Sequence, residues 1–226
     1  MRRLRSLLLA FPLTGATLLA QLPASRTVQA IGSATISVNP DQTQLNAGVV
    51  TQAATAQDAA QQNASLATAV LNALKAVLGT TGTIQTVSYS VTPRYSTGQS
   101  PAIIGYTASN TFQVTTTSTD PALIGRLIDS ANQAGANSVG GLNFGLQNPE
   151  PVRQQALGQA AKQARAHADA IAAGLGAKTG MVISALEGST TTPLVLGAGA
   201  GVTPTPVVTG MVSVSASVTI SVQLIQ

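Results

Sequence analysis

The cleanest pattern in the chain is at its C-terminus, where Val212, Val214, Ala216, Val218, Ile220, Val222 and Leu224 alternate with Ser213, Ser215, Ser217, Thr219, Ser221 and Gln223. Successive strand side chains point to opposite faces, so this run reads as a strand with one buried and one wet face. The same period runs from Ile31 to Val38, with Ala34, Ile36 and Val38 against Ser33, Thr35 and Ser37. Asn39-Pro40-Asp41 ends that run with turn residues. Leu45, Ala47 and Val49 mark a second strand over 44–51, expected to pair with the first as a hairpin.

Further strands are predicted over 83–92, with Val87, Tyr89 and Val91 on one side, and over 104–116. Residues 93–101 (PRYSTGQSP) read as the turn-rich connection between them. In 104–116 the apolar parity of Ile104, Tyr106, Ala108, Phe112 and Val114 is broken by Asn110. Asn110 is expected to bond a neighbouring main-chain group or to sit at the sheet rim. Two short strands complete the set, 139–146 with Leu142, Phe144 and Leu146 inward, and 181–186.

Three stretches carry helical spacing instead. After Thr55 as N-cap and Asp58 three residues on, Leu66, Val70, Leu74, Val77 and Leu78 recur at helical intervals, and Gly79 closes the helix. The opposite face is read as polar and includes Asn63. Asp120-Pro121 opens a second helix whose stripe is Leu123, Ile124, Leu127, Ile128 and Ala131, stopped by Gly135-Ala136-Asn137. The third runs from Glu150 to about Lys178, and a helical wheel puts Leu157, Ala160, Ala161, Ala164, Ala168, Ile171 and Leu175 on its buried face. Strands in pairs between single helices predict an α+β fold, antiparallel sheet with about three helices packed on one side.

The N-terminus reads differently. Arg2, Arg3 and Arg5 precede an apolar run from Leu7 to Leu22, and Val28-Gln29-Ala30 is a small-residue pattern suited to signal peptidase. Residues 1–30 are therefore expected to be a secretory signal, and 31–226 a single domain. With this segment go four of the eleven basic residues, Arg26 included, so the seven remaining match the seven acidic ones. The formal charge of +4 then belongs to the targeting segment, and nucleic-acid binding loses its electrostatic basis. No transmembrane span is expected after cleavage. The chain has no cysteine, which excludes disulfides, thiol catalysis and thiolate metal sites. Residues 188–209, rich in Gly, Thr and Pro and without charge, read as a flexible loop within the domain.

Gly32, Asn39-Pro40-Asp41, the alanine-rich helix from Ala56, Ile84-Gln85-Thr86, Val91-Thr92-Pro93 and Gly105-Tyr106-Thr107-Ala108-Ser109-Asn110 follow one another in an order that continues to the C-terminus. Leu127-Ile128-Asp129, Gly135-Ala136-Asn137, Phe144, the helix with Ala156, Ala160, Ala164, Arg165, Ala168 and Leu175-Gly176, and the alternating last strand complete it. In this order and spacing the chain resembles the SIMPL-domain proteins of the bacterial cell envelope. The resemblance implies an exported α+β protein, periplasmic or outer-membrane associated. It also implies links to antigenicity, oxidative-stress defence and oligomer formation, and no catalytic residue set.

Titratable groups gather only on the third helix, which holds Glu150, Arg153, Lys162, Arg165, His167, Asp169 and Lys178. A Ser-His-Asp hydrolase would have to use His167, the sole histidine, which falls at the edge of the apolar face. Arg165 and Asp169, four apart, are placed to pair. One histidine and no cysteine cannot fill an ordinary zinc shell. Gly197, Gly199 and Gly201 lack the spacing, the following lysine and the helix of a phosphate loop. An outer-membrane barrel conflicts with the interrupting helices and the missing aromatic girdles. No catalytic, cofactor-binding or metal-ligating residues are expected, and no cofactor. The expectation is a non-enzymatic envelope protein that self-associates or binds an envelope partner, with peripheral membrane contact allowed. The alternatives are a periplasmic hydrolase using His167 and an outer-membrane-associated β-rich protein.

Overall fold

The computed structural model describes residues 26–98, 100–188 and 207–226. The elements follow as β1 (Thr27–Val38), β2 (Gln42–Ala53), α1 (Ala56–Leu78), β3 (Gly82–Tyr95), β4 (Ile103–Thr116), α2 (Pro121–Gln133), β5 (Ser138–Gly145), α3 (Glu150–Gly174), β6 (Lys178–Glu187) and β7 (Val212–Ile225). They form two antiparallel sheets, a three-stranded one ordered β1-β7-β6 and a four-stranded one ordered β3-β4-β2-β5. The fold is α+β, and α1 and α2 pack on the larger sheet while α3 packs on the smaller. Each described sheet is open at both ends and helix-backed, so these strands do not close into the barrel considered above.

The expected hairpin between the first two strands does not form. β1 pairs with β7 from Thr27 opposite Gln223 to Val38 opposite Val212 with no shift of register, whereas β2 lies between β4 and β5. Sequence adjacency loses to pattern here, because β1 and β7 have matching alternation and matching wet faces. Thr35 and Ser215 share a hydroxyl bond of 2.8 Å, and Ser37 and Ser213 one of 2.9 Å. The link between β1 and β2 is held to the other sheet instead. Asp41 N donates to Gly145 O at 3.0 Å, and Asp41 Oδ1 accepts from Gln147 N at 2.7 Å.

β1 also begins at Thr27 rather than Ile31. Val28 and Ala30 are buried beside Ala160, Ala164, Ala168 and Ile220, and the Arg26 carbonyl accepts from Leu224 N at 2.8 Å. β3 runs through Pro93 to Tyr95, into the expected connection. A proline lacks only a donor, and β3 is an edge strand whose outer donors need no partner.

The larger core joins Leu45, Ala47 and Val49 of β2, Phe112 and Val114 of β4, Val70, Leu74 and Leu78 of α1, and Ile124, Leu127 and Ile128 of α2. Both of these helices start as their sequences predict. Thr55 Oγ1 accepts from Asp58 N at 3.1 Å, and Asp120 Oδ1 accepts from Ala122 N at 3.0 Å. The α1 stripe is rotated, however: Asn63 is buried and Leu66 is partly exposed. Asn63 Nδ2 donates to Val49 O at 2.8 Å and to Ala108 O at 3.0 Å, tying the helix to two adjacent strands. An amide can turn inward where main-chain carbonyls accept it, which side-chain polarity alone does not reveal. Asn110 behaves contrary to expectation, standing mid-strand with its Oδ1 buried and bonded to no protein group.

After α2, Gly135 takes φ 106°, left-handed backbone that suits glycine. Asn137 then docks on β2, its Oδ1 accepting from Val50 N at 2.8 Å and its Nδ2 donating to Val50 O at 2.7 Å. Residues 189–206 of the expected loop, including Gly197, Gly199 and Gly201, lie outside the described residues. Val207 packs against the larger core.

Candidate functional site

The groups singled out as candidate chemistry lie where α3 crosses the smaller sheet. The buried face of α3 is Ala156, Ala160, Ala164, Ala168 and Ala172, a strict four-residue repeat. The wheel had admitted Ile171 and Leu175 to that face, but both are exposed. The repeat itself explains this: steps of four residues advance about 400° each, so the buried line drifts round the helix and leaves Ile171 to one side, while Leu175 lies beyond the helix end at Gly174. Where the stripe meets β1 the contact is close. An ideal Cβ on Gly32 of β1 would stand 2.1 Å from Ala160 O and 2.3 Å from Ala164 N. Gly32 and the alanine stripe are therefore one feature, a main chain pressed against a helix backbone.

Side chains of α3 flanking that contact fasten it. Gln163 Oε1 accepts from Ser33 N at 2.7 Å, and His167 Nδ1 lies 2.8 Å from Ile31 O. A carbonyl oxygen only accepts, so Nδ1 carries the proton and donates. The histidine is exposed, but its bonded nitrogen is committed to main chain rather than to a serine or a carboxylate. Because β1 ends the sheet order, Ile31 O and Ser33 N belong to its outer edge. The two side chains thus occupy main-chain groups that an incoming strand would need.

The other margin of α3 is tied to the start of β6. Arg165 Nε donates to Asp169 Oδ1 at 3.0 Å, the pair expected from their spacing. Arg165 also donates through Nη1 to Gly180 O at 3.1 Å and through Nη2 to Thr179 Oγ1 at 2.7 Å, while Thr179 Oγ1 donates to Asp169. Arg153, near the helix start, pairs with Glu150 at 3.4 Å and with Glu187 at the end of β6. The hydrogen bond that Arg153 donates to Glu187, then the charges of Glu187 and Glu150, push the Arg153 guanidinium further up from its ordinary value. All three ion pairs are well exposed and hold geometry more than they add stability.

The candidate groups are therefore brought together as fasteners. Each acid and base of this set for which a bond has been named engages another strut of the joint or the main chain. Lys162 and Lys178 lie exposed at its margins. A cleft of about 210 Å³ at one end of the two sheets is lined by Gln42, Gln44, Asn143, Phe144, Val212 and Val214, which bring amides and hydrocarbon but no acid, base or nucleophile. Gln163 and Asn63 were missed from sequence as structural groups. Gly32 was visible there only as part of a resemblance.

A family model described as SIMPL, protein of unknown function (DUF541), matches residues 28–222. The chain is also similar to a 26 kDa periplasmic immunogenic protein of Brucella melitensis biotype 1, 31% identical over 155 residues that cover 64% of this chain and 61% of the relative. A protein of the same description from Brucella abortus (strain S19) matches equally, again at 31% over 155 residues. The chain thus covers less than two thirds of the length of these relatives. The match from Val28 to Val222 takes in β1, whose Gly32 meets α3, and nearly all of β7 across which it pairs, and by it the chain belongs to the SIMPL family.

Proposed function

We propose that this is an exported, periplasmic cell-envelope protein without catalytic activity, acting through protein contacts and first of all by self-association. Export is supported by the basic and apolar N-terminus and by the periplasmic description of the Brucella relatives. The absence of catalysis is supported by His167, whose bonded nitrogen holds β1 in place. The observation that carries self-association is the distribution of exposed hydrocarbon. Two groups stand out, Val87, Tyr89 and Tyr95 of the edge strand β3 with Ile103 and Ile104 at the start of the adjoining β4, and a second group on the edge strand β6. Exposed apolar patches of this kind mark contact surfaces. A part in envelope or oxidative-stress defence belongs to the same reading.

Sedimentation velocity of the processed protein over a wide concentration range is the test. Species larger than a monomer are expected, and a strict monomer throughout would remove the reading. Export makes a further prediction at the N-terminus. Val28 and Ala30 are core residues, so cleavage after Ala30 would strip the first third of β1. Processing is expected upstream of Arg26, with Ala24 as a suitable small residue before the cut. Intact mass of the exported protein reads this directly, and a chain beginning at Ile31 would count against it.

A further inference from the structure

The chain has three methionines and neither cysteine nor tryptophan. Met1 leaves with the N-terminal segment, so the processed protein keeps Met181 and Met211. Methionine is among the residue types most often found fully buried, where its flexible thioether fills gaps between other side chains. Here both stand outside, Met181 76% and Met211 57% exposed. The two cores are built from alanine, valine, leucine, isoleucine and phenylalanine and contain no sulfur.

The main chain around each methionine also leaves it unconfined. β6 carries an extra residue against β7 between Thr179 and Val182, so Met181 sits in an irregular part of an edge strand rather than in a regular ladder. Its neighbours Val182 and Ile183 are themselves exposed. Met211 precedes the first residue of β7 and belongs to no element. Oxidation turns a methionine from an apolar side chain into a polar, chiral one, which disrupts a core that depends on it. At these two positions the new dipole meets water and no core packing is lost.

We propose that Met181 and Met211 are modification sites at which this protein takes up oxygen from two-electron oxidants of the hypohalous-acid class, one atom each, and stays folded. The thioether lone pair is the nucleophile. In the net step one sulfur–oxygen bond forms and the oxygen–chlorine bond of hypochlorous acid breaks. Sulfur gives up two electrons, chlorine receives them, and chloride and a proton leave. With no thiol and no indole in the chain, the thioethers are its most readily oxidised groups. Accessibility ranks Met181 ahead of Met211.

The test is to titrate the processed protein with limiting hypochlorous acid at neutral pH and to read intact mass, peptide maps and thermal melting. Two additions of about 16 Da each are expected, at Met181 before Met211. The melting temperature should stay within about 2 °C of the untreated protein, as for a benign surface change. Met181→Leu and Met211→Leu should each remove one addition, and the double variant both. Oxygen taken up at other side chains ahead of the methionines, or a double variant that gains the same mass, would overturn the assignment of the sites. A larger fall in melting temperature would mean that the sulfoxides disturb packing, and the tolerance would be lost from the proposal. Protection of Met181 that deepens as protein concentration rises would place it inside an association surface and defeat it as a free site. Oxidation and sedimentation are read separately, so this proposal and self-association can each fail alone.

Discussion

Replacing Gly32 by alanine is expected to lower the melting temperature by about 10 °C, more than any surface change on the same strand. The added methyl group has nowhere to go. Its nearest neighbours, at 2.1 and 2.3 Å, are main-chain atoms of Ala160 and Ala164, which cannot turn aside as a flexible side chain would. Strand and helix must separate by more than an ångström, breaking close packing along the alanine stripe together with the His167 and Gln163 bonds. Overpacking in a tight core commonly costs about 1–3 kcal/mol, and contact with rigid backbone places this site at or above the upper end. Ser33→Ala is the control, since its bond to Gln163 is made by the main chain, and it should shift stability by no more than about 0.5 kcal/mol. His167→Ala removes one exposed hydrogen bond and should cost about 1 kcal/mol or less. If the histidine variant melted below Gly32→Ala, the contact between backbones would not be what holds this joint.

Leu74→Ala should be comparably severe for a different reason. Leu74 is fully buried in α1, within the core shared by β2, β4 and α2. Truncation there leaves a cavity and is expected to cost about 2–5 kcal/mol. Urea unfolding would measure it. The pair also tests how the domain holds together. Gly32 sits against α3 and the smaller sheet, Leu74 in the other core, and the two cores share no buried residue. Uncoupled sites add to within about 0.5 kcal/mol. The double variant is therefore expected to equal the sum of the singles. A large shortfall would show that damage to one sheet is already transmitted to the other.

Most elements were legible because each carries a strong local period. The alternation over 212–224 is β7, the strands around Leu45 and Phe112 appear where their apolar parity puts them, and Thr55 and Asp120 cap the helices they precede. The candidate site was legible as a gathering of residues and not as an arrangement. Crowded charges and the sole histidine marked α3 out, and the spacing of Arg165 and Asp169 announced their pair. What those groups hold was invisible, because Ile31, Ser33, Gly180 and Glu187 come from strands distant in sequence, and three of the four offer main-chain atoms. A side-chain pattern has no term for a main-chain acceptor.

The same distinction explains the misreadings. Asn63 counted as polar and was placed outside, yet it is buried because two strands present carbonyls to it. Ile171 and Leu175 counted as apolar and were placed inside, yet they are exposed because the buried line, repeating every four residues, drifts round the helix away from Ile171, and the helix ends at Gly174 before Leu175. By itself, the sequence determined the class, the order and kind of elements, the caps and the alanine character of α3, all of which follow from local period and residue size. Only the tertiary structure decided that β1 leaves its neighbour for β7, that the alanine stripe receives Gly32, and that α3 shields the β1 edge of its sheet while bonding to β6 near that strand's two ends. These are matters of which distant backbones meet and how closely, and they depend on the shape of the folded chain rather than on the pattern of any one segment.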